Sequence, residues 1–262
     1  MIVFPNAKIN IGLNVIEKRK DGYHNLESCF YPIPWKDALE VVEANEFSFN
    51  SSGIAIPGDR NIVVSAYELL KQHHDLPAIA IHLHKNIPMG AGLGGGSANG
   101  AFMLKLLNEK FSLQLSPQKL RTFAKELGSD CPFFIDNEPR FVEGTGDILS
   151  KINLDLSDLH IAIVYADIHM GTIKAYKKRI PTKPNHHLKE VIETTEISTW
   201  KGIVNNDFEA GVGQAILELK NQLYEFGALY ASMSGSGSAV YGLFTKKPDI
   251  DQIPGYKFVS TL

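Results

Sequence analysis

Apolar and polar residues alternate with a period of two near the start of the chain, over residues 8–15, which predicts a strand. Ala7, Ile9 and Ile11 fall on one face of it, and Lys8 and Asn10 on the other. A turn is predicted at Asp21-Gly22, with further strands over 38–44 and 46–50. The period then lengthens: Ile62, Ala66, Leu69 and Leu70 share one face of a helix predicted over 61–74. Residues 79–85 alternate again, as a half-exposed antiparallel strand would. A helix is predicted over about 98–111. The next is marked by its ends, with Ser116 as N-cap, Pro117 at the first position and Gly128 after the last turn.

A strand leading to a turn is read at 141–146, and the chain becomes polar over 150–158. Residues 160–166 form an apolar run suited to a buried strand, 181–187 read as loop, and 208–226 as one helix despite Gly211 and Gly213. Residues 228–233 and 239–245 predict paired strands around the turn Ser234-Gly235-Ser236-Gly237-Ser238. The pattern is α+β in two lobes, 1–150 and 151–262.

Between the strand at 79–85 and the following helix lies Pro88-Met89-Gly90-Ala91-Gly92-Leu93-Gly94-Gly95-Gly96-Ser97-Ala98. Glycines at a helix start let backbone N–H groups converge on an anion, and the helix dipole adds positive potential. Gly90, Gly92 and Gly95 satisfy the dinucleotide fingerprint G-x-G-x-x-G, but no acidic residue ends a second strand at the right distance. Gly90, Gly95 and Ser97 satisfy most of the P-loop, but Gly96 occupies its lysine slot. A triphosphate bound here needs positive charge from elsewhere.

Composition narrows the classes. The 262 residues are 44% hydrophobic and 21% charged, as in a globular protein with a full core. A net charge of -3 offers no basic field for nucleic acid. Two cysteines, Cys29 and Cys131, are too few for a disulfide scaffold and fit a reducing compartment. Neither a signal-peptide pattern nor a run of about 18 apolar residues is present, so a cytoplasmic protein is expected.

Lys8 and Asn10 pair a point charge with an amide, although a solvated strand face explains them as well. Asp130, in Gly128-Ser129-Asp130-Cys131-Pro132, could cap a short helix or act as a general base kept ionised by a helix start. His82 and His84 have strand spacing for a metal, but no third ligand accompanies them.

Taken in order, Ala7-Lys8-Ile9-Asn10, Asp21-Gly22-Tyr23-His24, the Pro88–Ser97 loop, Gly128-Ser129-Asp130-Cys131-Pro132-Phe133-Phe134 and Ser234-Gly235-Ser236-Gly237 resemble the GHMP small-molecule kinases. The resemblance spans essentially the whole chain. It implies an α+β fold of two lobes, the N-terminal one like ribosomal protein S5 and the C-terminal one ferredoxin-like. It also implies ATP and Mg²⁺, with the loop from Pro88 to Ala98 wrapping the ATP phosphates, Asn61 at the adenine and Ser97 near the metal. Asp130 would take the acceptor proton and Lys8 steady the developing charge.

The start joined to Asp21-Gly22-Tyr23-His24 is similar to the branch whose substrate carries a cytidine diphosphate group. That implies Tyr23 and His24 at the cytosine, Asn10 near it, Tyr176 as a second aromatic, and Ser234 and Gly235 closing the site. No nucleic-acid or membrane partner is implied. Ala91 stands where many relatives have glycine, a change that a negative φ would accommodate. A family member acting on mevalonate, homoserine or a sugar, and a catalytically silent nucleotide-binding regulator, stay open as alternatives.

Overall fold

The computed structural model describes residues 1–58, 60–165, 181, 184 and 186–262. Contacts gather the chain into two compact units. The first comprises Met1–Ala7, Trp35–Met89 and Gly94–Glu138, and the second Lys8–Pro34, Gly90–Leu93 and Pro139–Leu262.

The first unit holds a mixed sheet in the order β1 (Ile2–Val3), β4 (Ala38–Glu43), β6 (Ile79–Lys85), β5 (Ser48–Gly53). β6 runs antiparallel to β4 but parallel to β5, so only one of its two partners is antiparallel as expected. Its alternation is as predicted: Ile79, Ile81 and Leu83 are buried, while His82 and His84 are exposed, with the Ser52 hydroxyl within 2.9 and 3.0 Å of their rings. Helices α1 (Ile62–Lys71), α2 (Gly95–Lys110) and α3 (Pro117–Leu127) pack on one another, and α4 (Phe133–Asp136) follows a short turn. α3 begins as predicted: Ser116 Oγ accepts from the Lys119 N–H at 3.3 Å, and Pro117 needs no donor there.

α2 starts at Gly95, three residues before the predicted Ala98. Gly95, Gly96 and Ser97 are poor helix formers, which hid its first turn.

The second unit contains two four-stranded sheets. One has the order β2 (Asn6–Lys18), β3 (His24–Lys36), β7 (Arg140–Glu143), β8 (Ile148–Lys151); the first residues of β2 and the last of β3 belong to the first unit. β3 goes unpredicted because Pro32 and Pro34 argue against a strand. Its ladder with β7 ends at Phe30, so neither proline interrupts it. The other sheet is antiparallel, in the order β10 (Tyr230–Met233), β11 (Val240–Phe244), β9 (His160–Tyr165), β12 (Tyr256–Thr261).

The unit also holds α5 (Leu188–Thr194) and α6 (Gln214–Glu225), and Leu13, Val15, Val164, Phe208, Leu223 and Val240 lie in its core. The single helix expected over 208–226 is two pieces, a 3₁₀ turn at Asp207–Gly211 and then α6. Val212 and Gly213 take extended backbone between them. Among the described residues no helix is long and apolar enough to cross a membrane.

Candidate active site

In the second unit, the face of β2 that carries Lys8 and Asn10 is not solvated. Lys8 is 3% exposed and Asn10 2%, which corrects the solvated-face reading. Residues 90–93 and the Ser234 turn cover it. The Lys8 N–H donates to Leu93 O at 2.9 Å, and its ammonium donates to Gly92 O at 3.2 Å and to Asn10 Oδ1. The same ammonium lies 4.5 Å from the centre of the Phe30 ring.

Every polar atom of Asn10 has an internal partner. Its N–H donates to Ser234 Oγ at 3.1 Å, Nδ2 donates to Ser28 Oγ at 2.9 Å, and its carbonyl accepts from the Tyr241 hydroxyl at 2.8 Å. Ser234 in turn donates to Gly92 O at 2.8 Å. Gly92 therefore meets a lysine and a serine at one carbonyl, and its φ is +78°. A Cβ there would lie 1.9 Å from Ser234 O, so only glycine fits.

Asn206, not among the residues singled out from sequence, belongs to the same site. This buried side chain donates to Met233 O at 2.8 Å and to Gly235 O at 2.7 Å, and so ties both sides of the Ser234 turn. Its Oδ1 also accepts from the Phe208 N–H, as an N-cap does. That capping position ahead of an apolar run was the available signal.

Asp21-Gly22 forms the predicted turn between β2 and β3. Gly22 has φ +89°, and Asp21 Oδ1 accepts from the Tyr23 N–H at 3.1 Å. The Arg19 guanidinium beside Asp21, together with that N–H, lowers its carboxyl pKa. Tyr23 is 66% exposed at the tip, and His24 beside it is half-buried. An open aromatic face is what base stacking requires. Tyr176 lies outside the described residues.

In the first unit, Pro88 is buried and Met89 half-buried, leading into the loop. Gly90 and Gly94 share the left-handed φ of Gly92, at +67° each. Ala91 is buried with no positive φ, so its methyl is accommodated. Gly94 precedes α2 and offers no side-chain cap. The first-turn N–H groups of a helix then look to a ligand for partners.

Asn61 Oδ1 caps α1 by accepting from the Val63 N–H at 3.0 Å, which leaves its amide Nδ2 for any further contact. Asp130 is half-buried at the turn after α3, beside the start of α4, and accepts from the Ser129 hydroxyl at 3.4 Å.

Burial pushes the pKa of the Cys131 thiol up to about 12, against the lowering influence of the Ser97 hydroxyl. Burial raises the Cys29 thiol as well. A thiol reagent at about pH 8 should therefore label neither cysteine until the chain unfolds. Stability should also fall as pH rises past 9.0, the ordinary thiol value, because the unfolded chain then sheds protons that the folded one keeps. Rapid labelling of the folded protein would contradict this burial.

Among the described residues no group of three His, Cys, Asp or Glu could hold a metal. A Mg²⁺ carried on phosphates and water needs only one or two protein oxygens. Ser97 fits that part, because it is half-buried in the first turn of α2 and its hydroxyl oxygen has lone pairs to offer.

Residues 61–137 match the model for the GHMP kinases N terminal domain, and residues 212–254 match that for the GHMP kinases C terminal region. A curated relative from Bacteroides fragilis, named 4-diphosphocytidyl-2-C-methyl-D-erythritol kinase, is 51% identical over 97% of this chain and 95% of its own. A solved 4-(cytidine 5'-diphospho)-2C-methyl-D-erythritol kinase superposes with a TM-score of 0.79 at 28% identity, covering 93% of this chain and 90% of that one. The Methanococcus jannaschii mevalonate kinase shares the fold, with a TM-score of 0.71 at 12% identity over 93% of this chain and 90% of its own.

Proposed function

The chain belongs to the GHMP kinase family, and on that premise we propose that it phosphorylates the 2-hydroxyl of 4-diphosphocytidyl-2-C-methyl-D-erythritol with ATP, in non-mevalonate isoprenoid precursor biosynthesis. The geometry that carries the reading is the glycine loop: three left-handed glycines run into a helix start with no side-chain cap. The likeness to the Bacteroides fragilis enzyme supports the choice of acceptor.

In this account the loop from Pro88 to Ala98 receives the triphosphate through backbone N–H groups, and Asn61 meets the adenine through Nδ2. Asp130 accepts the proton of the acceptor hydroxyl. The oxygen then attacks the γ-phosphorus, and the bond to the β-phosphate oxygen breaks to release ADP. Lys8, buried and fixed by Asn10 and Gly92, steadies the charge that develops on the transferred group. Mg²⁺, held beside Ser97, would neutralise phosphate charge.

Tyr23 stacks on the cytosine, with His24 and Tyr176 as its companions. Ser234 and Gly235 shape the substrate side through the loop they hold, since the Ser234 hydroxyl is already engaged. Asn10 contributes by orienting Lys8. Two buried, reduced cysteines fit the cytoplasm as its compartment.

Coupled ADP release with a panel of alcohols tests the reading. The diphosphocytidyl alcohol should give the highest kcat/KM, and mevalonate, homoserine and galactose should give no turnover above background. Preference for any of those three would overturn the substrate, and ATP binding without product from any alcohol would favour a silent regulator.

A further inference from the structure

Lys85 is the last residue of β6 and shares a face with Ile79, Ile81 and Leu83, so the strand carries a lysine into the core of the first unit. Asp37, in the link between β3 and β4, answers it. Lys85, Asp37 and Asn99 are all at most 2% exposed. The Asp37 carboxylate takes four donors, two on each oxygen. Oδ1 accepts from the N–H groups of Asn86 at 2.7 Å and Ile87 at 2.8 Å. Oδ2 accepts from Asn99 Nδ2 at 2.8 Å and from the Lys85 ammonium. Asp37 is itself fixed, its N–H donating to Pro5 O at 2.9 Å.

Those donors come from both flanks of the glycine loop. Asn86 and Ile87 immediately precede Pro88, and Asn99 lies in the second turn of α2. A Cβ at Gly95 would sit 3.0 Å from Lys85 Nζ, so the ammonium lies directly against the first helical residue. A bare cation there opposes the helix dipole, and burial lowers its pKa. Asp37 offsets both effects and leaves no lone pair over.

We infer that Asp37 is a positioning residue for nucleotide binding, a carboxylate staple that sets the distance between the two flanks of the phosphate loop. It touches no substrate. A structural ion pair needs only Lys85; the additional bonds to Asn86, Ile87 and Asn99 are what tie it to the loop. The inference rests on the loop's role in binding ATP.

The test uses the full chain and three measurements: Tm, KM for ATP and KM for the cytidylyl alcohol. Asp37→Ala removes the staple and orphans a buried ammonium, so Tm should fall. The double variant Asp37→Ala/Lys85→Met removes that orphan and should regain Tm. Its KM for ATP should stay roughly tenfold or more above wild type, because flanks displaced by a fraction of an ångström misplace the loop. Its KM for the alcohol should not change. Asp37→Asn/Lys85→Met should restore both values, since the amide oxygen still accepts from Asn86 and Ile87 and its Nδ2 can donate to a turned Asn99.

Wild-type KM for ATP in a folded Asp37→Ala/Lys85→Met variant overturns the inference. So does an equal rise in both KM values. Failure of that variant to fold while Asp37→Asn/Lys85→Met behaves as wild type would also assign Asp37 a purely structural role. Absence of ATP binding by wild-type protein would instead sink the kinase reading.

Discussion

Asp130→Asn is expected to lower kcat by about 10²–10⁴-fold while ATP still raises the Tm of the protein. The amide matches the carboxylate in shape and can still accept from the Ser129 hydroxyl, so the turn after α3 should hold. What it cannot do is take a proton from an alcohol whose own pKa lies far above neutrality. Phosphoryl transfer leaves the protein mainly positioning and charge stabilisation, so removing the base should spare nucleotide binding. Steady-state kcat and nucleotide-dependent thermal shifts separate the two effects. Normal turnover in the variant would refute the assignment of the base.

Gly92→Ala should be nearly as damaging, by another route. A non-glycine residue at φ +78° costs about 1–3 kcal/mol in backbone strain alone. The added Cβ would also lie 1.9 Å from Ser234 O and 2.8 Å from its carbonyl carbon, and backbone atoms cannot step aside as a flexible side chain can. The loop must therefore move, and Gly92 O is where both the Lys8 ammonium and the Ser234 hydroxyl donate. A shift of about 1 Å is enough to cost roughly a hundredfold in kcat/KM. Both KM for ATP and kcat should suffer, because in the proposed mechanism the loop receives phosphate and Lys8 supplies charge. A variant with wild-type kinetics would mean that this close approach is not used in the reaction.

Much of the fold was legible because its signals are local. α3 announces both ends through Ser116, Pro117 and Gly128, and the alternation of 79–85 survives as buried isoleucines and exposed histidines. The glycine spacing is matched by left-handed φ at Gly90, Gly92 and Gly94 ahead of a helix start with no side-chain cap. What stayed hidden depends on partners distant in sequence. Lys8 and Asn10 look like a solvated face until residues 90–93 and the Ser234 turn cover them, more than eighty and two hundred positions away.

β3 was masked by two prolines whose cost vanishes only because the ladder with β7 stops at Phe30. Asn206 resembles an ordinary cap unless the two carbonyls of the Ser234 turn are seen beside it. Lys85 sits on the apolar parity of β6, and that mismatch was the one readable hint of Asp37.

The most direct test of the account is ³¹P NMR of wild-type protein mixed with ATP, Mg²⁺ and 4-diphosphocytidyl-2-C-methyl-D-erythritol. The γ-phosphate signal should be lost, matched by ADP and by one new monophosphate ester on the tertiary 2-hydroxyl. Release of inorganic phosphate without ester, or an ester at another oxygen, would contradict it.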